Sequence, residues 1–159
     1  MFLKPDYNLK NIYDIDLNEL KDKGINALLF DLDSTLMESK AGKYNEKTIN
    51  WLNNVRKDFF IGVVSNNHNP QYIEKVKAVS DFPLVFEAKK PDTKATENFM
   101  QCNGLTSECT AFVGDRPLTD VLCGKRIGCT TILVDSISAD REKPIVRFAR
   151  KLERLTIRK

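Results

Sequence analysis

The chain has 159 residues, of which 42% are hydrophobic and 30% charged, and its formal net charge is +3 at pH 7. This length suits one domain, and the apolar content excludes wholesale disorder. No apolar run approaches the roughly 20 residues that a transmembrane helix needs, and the opening MFLKPDYNLK lacks the apolar core of a secretory signal, so we expect a cytoplasmic protein.

Five short apolar runs follow an N-terminal extension, residues 1–24. They are too short to be core helices and too uniformly apolar to be strands with one solvated face. Such runs are typical of strands that are buried on both faces of a parallel sheet. The runs span residues 25–30, 59–64, 84–86, 110–113 and 130–134.

Amphipathic stretches between the runs are predicted to be helices. The stretch 45–57 repeats apolar residues at helical spacing. Pro70 and Pro91 each stand where a first helical residue belongs, because proline lacks the N–H that would have no partner there. The remaining predicted helices in this part of the chain span residues 91–103 and 118–127.

The alternation of strand and helix predicts a doubly wound, Rossmann-like α/β fold, with one parallel sheet in a single domain, 1–159. In such sheets ligands bind beyond the carboxyl ends of the strands. Four of the five runs end in polar or charged residues, and these are our candidate site residues. They are Asp31 and Asp33, Ser65 and Asn66, Lys90, and Asp115 with Asp120.

The first of these strand ends carries two carboxylates, Asp31 and Asp33, on either side of Leu32. Side chains alternate along an extended backbone, so both carboxylates would point the same way. Two carboxylates aimed together repel each other and can recruit a divalent cation such as Mg²⁺. An ordinary turn or helix cap at a strand end is an equally good interpretation of this pair taken alone.

The order of these residues resembles the four motifs of the haloacid dehalogenase (HAD) superfamily. The matching segments are DLDSTL at 31–36, SNN at 65–67, KP at 90–91 and GDRPLTD at 114–120. Segments 3–6 and 12–15 and the basic C-terminal helix resemble the IIIA-type phosphatases of the YqeG-like kind, which include phosphatidylglycerophosphate (PGP) phosphatases. One departure is Ser34, where this group most often has Asn or Gly.

This resemblance implies a hydrolytic mechanism. Asp31 would be the nucleophile and would form an aspartyl phosphate. Asp33 would protonate the leaving oxygen and then deprotonate the hydrolytic water. Ser65 and Lys90 would bind the oxygens of the transferring phosphoryl group.

The resemblance also implies Mg²⁺ as cofactor. Asp31, the backbone carbonyl of Asp33 and Asp115 would be its ligands, and Asp120 would be either a further ligand or a group that orients one. Two further residues would support the phosphate site, namely Thr35 and Asn66.

The spacing of the motifs leaves little room for the cap domain that many superfamily members carry. Thr35 and Ser65 are 30 positions apart, and Ser65 and Lys90 are 25 apart. Each gap is long enough for one helix and one strand, so we expect a capless enzyme with at most a short loop at 38–43. An open site has room for a large or surface-bound phosphate ester.

The C-terminal segment is basic, because residues 140–159 contain eight Lys or Arg and three Asp or Glu. A basic amphipathic helix is predicted over 143–157. Its apolar stripe is formed by Ile145, Phe148, Leu152 and Leu155, and Arg147, Arg150, Lys151 and Arg154 fall largely away from it. The helix could pack on the sheet with a solvated basic face, or it could dock electrostatically on an anionic membrane or nucleic acid.

Four cysteines lie at spacings that form no C-x-x-C pair, and His68 is the single histidine. We interpret them as separate thiols in a reducing compartment rather than as zinc ligands. The cysteines are Cys102, Cys109, Cys123 and Cys129.

Three functions remain open on the sequence. The favoured one is a Mg²⁺-dependent phosphatase that converts PGP to phosphatidylglycerol in phospholipid biosynthesis, at the surface of a membrane. The second is the same chemistry on a soluble sugar, nucleotide or nucleic-acid phosphate. The third is a non-catalytic α/β binding module, against which the complete set of motif residues argues. We expect an anionic phospholipid substrate and no nucleic-acid partner.

Overall fold

The computed structural model describes residues 3–137 and 144–156, except for the side chains of residues 146, 147, 149 and 150. Its centre is one sheet of six parallel strands in the order β1-β6-β5-β2-β3-β4, which confirms the doubly wound fold. The strands are β1 (Tyr7–Leu9), β2 (Ala27–Phe30), β3 (Phe60–Val64), β4 (Leu84–Val85), β5 (Thr110–Gly114) and β6 (Thr130–Val134).

Five α-helices connect the strands, and a sixth follows β6 in the described chain. They are α1 (Leu17–Asp22), α2 (Glu46–Val55), α3 (Pro70–Val79), α4 (Lys94–Cys102), α5 (Leu122–Ile127) and α6 (Pro144–Arg154). The helix predicted over 45–57 is confirmed as α2, and the one that begins at Pro70 is confirmed as α3. The helix predicted over 118–127 is confirmed as α5, which a π-helical turn, Pro117–Val121, precedes.

Pro91 does not begin a helix, so that prediction is wrong. The N–H of Asp92 donates to the carbonyl of Lys89 at 2.9 Å, and Lys89 has a left-handed backbone with φ of 57°. Residues 89–92 therefore form a turn, and α4 starts only at Lys94, whose N–H donates to the Asp92 carboxylate at 2.9 Å. This turn carries Lys90 at its tip.

The N-terminal extension contributes an edge strand that was not predicted. β1 has three residues and pairs with β6 through Leu9 and Val134. The carboxylate of Asp6 holds β1 in place. This carboxylate accepts a hydrogen bond from Thr131 N at 2.8 Å and forms an ion pair with Lys125 Nζ at 3.1 Å.

Both faces of the sheet are buried, as the uniformly apolar runs predicted. In β2, Leu28 and Phe30 enter one core cluster and Leu29 enters another, and all three side chains are inaccessible to solvent. β2 lies between β3 and β5, so the direction of strand order reverses between β2 and β5. Ligand sites in doubly wound sheets lie at this point.

Candidate active site

A cleft of about 280 Å³ opens at the carboxyl ends of β2, β3 and β5. It brings together six of the predicted residues, which come from four separate segments of the chain. Its lining consists of Asp31, Asp33, Ser34, Ser39, Ser65, Asn66, Asn67, Lys90, Asp115, Arg116 and Thr119. The gaps between the motifs contain α2 with β3 and α3 with β4, which leaves the cleft without a cap domain among the described residues.

Lys90 lies at the base of the cleft with 1% of its side chain exposed. Its ammonium group is 2.9 Å from Asp31 Oδ1 and 2.8 Å from Asp120 Oδ1, and it donates to the carbonyl of Val64 at 2.7 Å. Burial alone would lower the pKa of Lys90, but the carboxylates of Asp120 and Asp31 together raise it above the usual lysine value. Lys90 is therefore a permanent cation that orients Asp31.

Three carboxylates meet beside this lysine, since oxygen atoms of Asp31, Asp115 and Asp120 lie within 4.8 Å of one another. The hydroxyl of Thr35 donates to Asp115 Oδ1 at 3.1 Å. Carboxylate oxygens in this number suit a hard divalent cation such as Mg²⁺. The side chain of Asp33 is not part of this group.

Asp120 is the most constrained of the three. Its Oδ1 pairs with Lys90, its Oδ2 accepts from Arg116 N at 3.1 Å, and a Cβ atom at Gly114 would lie 2.3 Å from its Cγ. Burial raises the pKa of Asp120, and Asp31 adds to the rise while Lys90 opposes it. With both oxygens engaged, Asp120 is better suited to hold Lys90 than to bind a metal directly.

Asp33 is held by two donors that sequence analysis did not identify. Its Oδ1 accepts a hydrogen bond from the Tyr72 hydroxyl on α3 and another from Lys40 N at 3.0 Å. Burial and then the contact with Asp33 raise the pKa of Tyr72, which keeps this hydroxyl a donor. No motif marks Tyr72, because its role depends on how α3 packs over the loop that follows β2.

Ser65 and Asn66 continue from β3 into the cleft. Ser65 Oγ accepts from Asn67 N at 3.1 Å. The amide of Asn66 binds both backbone groups of Lys90, accepting from its N–H at 2.7 Å and donating to its carbonyl at 3.0 Å. Asn66 thus fixes the Lys90 turn, and direct phosphate binding by Asn66 or Thr35 stays a prediction.

Ser34, the residue that departs from the family pattern, has a left-handed backbone with φ of 68°. Asn and Gly adopt this conformation more readily than other residues, which explains the preference of the group at this position. The loop keeps the conformation in this chain because Ser34 N donates to Met37 O at 2.8 Å and Ser34 O accepts from Ile137 N at 3.0 Å.

The C-terminal helix α6 is tied to the rim of the cleft by charged groups. Arg116, which lines the cleft, forms an ion pair with Glu153 at 2.8 Å. Arg154 donates to the carbonyls of Val134 at 2.7 Å and Asp115 at 3.3 Å. Residues 143 and 157 of the predicted helix lie outside the described residues.

Solved structures share this fold. A HAD-like family hydrolase from Porphyromonas gingivalis superposes with a TM-score of 0.58 at 16% identity, over 81% of this chain and 98% of the other. A HAD family enzyme from Bacteroides thetaiotaomicron, solved as a magnesium complex, gives 0.57 at 12% identity, over 73% and 96% of the two chains. In the described part of the chain, no helix combines the length and apolarity needed to span a bilayer.

Sequence comparison identifies the family of this chain more specifically than the shared fold does. The family model described as mitochondrial PGP phosphatase matches residues 1–138. The probable phosphatase YqeG of Bacillus subtilis is 31% identical over 153 residues, which cover 96% of this chain and 88% of that protein. Phosphatidylglycerophosphate phosphatase 1 of Arabidopsis thaliana is 26% identical over 96% of this chain and 46% of its own length. The chain therefore belongs to the mitochondrial PGP phosphatase family, within the HAD superfamily, and is a phosphatase.

Proposed function

We propose that this phosphatase is Mg²⁺-dependent and hydrolyses PGP to phosphatidylglycerol, a step of phospholipid biosynthesis, through an aspartyl phosphate. The observation that carries the chemistry is the contact of Asp31 with the buried ammonium of Lys90 at 2.9 Å. A carboxylate held in one orientation at the base of an open cleft is suited to in-line attack on phosphorus.

The proposed reaction has two steps. An oxygen of Asp31 attacks phosphorus, the bond to the ester oxygen breaks, and Asp33 donates a proton to the departing oxygen. Asp33 then takes a proton from water, whose oxygen attacks phosphorus and releases inorganic phosphate and the free Asp31 carboxylate. Lys90 and the Ser65 hydroxyl bind the oxygens of the transferring group.

The balance of charge supports the proposal of a metal cofactor. Four carboxylates lie in or beside the cleft. Among the described residues, the cations that face it are the buried Lys90 and also Arg116, and Arg116 is already paired with Glu153. A phosphate ester would be repelled by this excess of negative charge. Asp31 and Asp115, with the backbone carbonyl of Asp33, would hold Mg²⁺. When bound, the ion supplies positive charge that stabilises the transition state.

The lipid substrate is proposed from the open cleft and from the similarity to the Arabidopsis relative, which is named as a PGP phosphatase. An uncapped cleft can receive a phosphate that remains attached to a membrane surface.

The proposed location is a reducing compartment such as the cytoplasm. All four cysteines are free thiols, which supports this location.

The test is release of inorganic phosphate by the purified chain with Mg²⁺. PGP in mixed detergent micelles is compared with a panel of soluble sugar phosphates, nucleotides and phosphorylated nucleic-acid ends. We expect kcat/KM for PGP to exceed that of every soluble ester, and the Asp31→Asn variant to release no phosphate above background. A preference for a soluble ester would replace the lipid assignment with the second hypothesis.

A further inference from the structure

Most of the exposed large apolar side chains lie on the C-terminal helix or in segments that also contribute to the cleft. Of the eight large hydrophobic residues that are exposed in the described chain, six lie on α6 and its C-terminal extension or beside the cleft. We name these six the cleft-side apolar surface; they are Leu118, Ile137, Ile145, Phe148, Leu152 and Leu155. The other two, Ile49 and Val79, line a separate pocket between α2 and α3.

The apolar stripe predicted for the C-terminal helix points to solvent. Ile145 is 74% exposed, Phe148 62%, Leu152 49% and Leu155 68%. These residues are separated by three, four and three positions, so they share one side of the helix. The observed exposure therefore fits the packing interpretation poorly, because a helix that packs on a sheet normally buries its apolar side.

Contacts of charged side chains explain why α6 turns its apolar side to solvent. Glu153 is buried against Arg116, and Arg154 is anchored to the loop that follows β6 through the carbonyl of Val134 and an ion pair with Asp135 at 3.1 Å. These contacts fasten α6 by its charged side. The apolar side is left facing outward.

The surface adjoins the cleft at three points. Leu118 precedes Thr119, which lines the cleft. Ile137 N donates to the carbonyl of Ser34, another lining residue, at 3.0 Å. The helix α6 itself is tied to the cleft rim through Glu153, the partner of the lining residue Arg116. The cleft-side apolar surface therefore belongs to segments that also contact or contain residues of the cleft lining.

The charge of the surface indicates what covers it. α6 contains four basic residues and one acidic residue, and that acid, Glu153, is already neutralised by Arg116. Lys151 is exposed on the helix. Arg154 is paired with Asp135. An apolar stripe on a helix whose sequence carries an excess of basic residues is the composition of helices that lie in the interface of an anionic bilayer.

We propose that the cleft-side apolar surface inserts into the interfacial layer of an anionic membrane and presents the cleft to phosphate groups of lipids in that layer. The proposal deepens the proposed function and rests on a lipid substrate. It differs from purely electrostatic docking, because apolar insertion persists when salt screens the charges.

The experiment is flotation of the full chain with phosphatidylcholine vesicles, with and without phosphatidylglycerol. Phosphatidylglycerol carries no phosphate monoester, so binding is measured apart from catalysis. We expect the wild type to float with the anionic vesicles and to keep part of its binding at high salt. The variant Ile145→Gln/Phe148→Gln/Leu152→Gln should bind at least about tenfold more weakly.

A matched control removes the same kind of side chain elsewhere. The Ile49→Gln/Val79→Gln variant loses two exposed apolar residues from α2 and α3 and should float like the wild type. The α6 variant should keep its turnover of p-nitrophenyl phosphate within about twofold, because none of its changes touches the cleft.

A milder variant guards against misfolding. Phe148→Trp adds an indole to a chain whose single tryptophan, Trp51, is partly buried against Phe30 and Tyr13. Brominated lipids should quench the added indole and leave the wild-type emission nearly unchanged.

Three results would overturn the proposal. They are equal flotation of the wild type and the α6 variant, an indole at position 148 that brominated lipids do not quench, and a wild-type dimer that the α6 variant dissociates. Hydrolysis of PGP in detergent micelles is measured separately, because it tests the proposed function without a vesicle surface. If micellar PGP is hydrolysed and vesicles are not bound, the surface proposal fails and the proposed function stands.

Discussion

The hydroxyl of Tyr72 donates a hydrogen bond to Oδ1 of Asp33, and Lys40 N donates to the same oxygen at 3.0 Å. Both donors thus restrain the same oxygen of the proposed acid and base. Tyr72 is not among the residues that line the cleft. It is a positioning residue, whose effect on turnover passes through Asp33.

Replacing Tyr72 with Phe should lower kcat by about fivefold with little change in KM, because one net hydrogen bond that orients Asp33 is worth about 1 kcal/mol. Steady-state kinetics with p-nitrophenyl phosphate measures both constants. The matched control is Tyr44→Phe, which removes a buried hydroxyl that contacts Ser80 Oγ at 2.7 Å, outside the cleft. Equal effects of the two variants would indicate a structural role for Tyr72.

Asp31→Asn should abolish turnover and preserve the fold, because the amide keeps the shape of the carboxylate and is not a nucleophile. Phosphate release should fall below about 1% of the wild-type rate, given the contribution of covalent catalysis. Circular dichroism checks the fold. Asp58→Asn is the control, since Asp58 lies on the surface in an ion pair with Lys21. Substantial residual turnover would remove Asp31 from the role of nucleophile.

Activity should disappear in excess chelator and return with Mg²⁺, whereas Ca²⁺ should inhibit because it accepts more oxygen ligands and less regular geometry. Independently of activity, Mg²⁺ should raise the Tm of the wild type, since a ligand that binds only the folded state stabilises it. Asp115→Asn should lose this Tm shift and Asp81→Asn, a surface variant, should retain it. An unchanged shift in the Asp115→Asn variant would argue against the carboxylate site.

Lys90→Met should destabilise the fold by about 3–5 kcal/mol, because it leaves the carboxylate of Asp120 buried without its cation. Urea unfolding measures the free energy. Adding Asp120→Asn should recover part of the loss, since the uncompensated charge is removed. The control is Lys125→Met, which breaks the exposed pair with Asp6 and should cost less than about 1 kcal/mol.

Asp6 should make stability depend on acid pH. Burial would raise the pKa of Asp6, but the hydrogen bonds from Thr131 and the charge of Lys125 bring it below the usual value. The folded pKa is thus below the unfolded one, so Asp6 stabilises the protein above the unfolded pKa, and this contribution is lost as the pH falls through the folded value. Asp6→Asn should cost about 1 kcal/mol at pH 7. Urea unfolding curves of the two proteins should converge in acid.

The parallel sheet and the positions of the site residues could be predicted because they depend on local pattern. A run such as Ala27–Phe30 is apolar on both alternating sides, which fits a strand covered on both faces. Parallel strands end at one edge, so Asp31, Ser65 and Asp115 had to approach one another once the strands were identified. The resemblance then assigned roles to residues that the pattern had only brought together.

Tertiary packing decided the features that local pattern could not reveal. β1 is too short to show a strand period, and it forms because β6 offers an open edge and Asp6 binds Thr131. Tyr72 reaches Asp33 only because α3 lies over the loop after β2. The hydrophobic period of α6 identifies its apolar side. Its outward orientation depends on where Arg116 stands to receive Glu153, a contact between residues 37 positions apart.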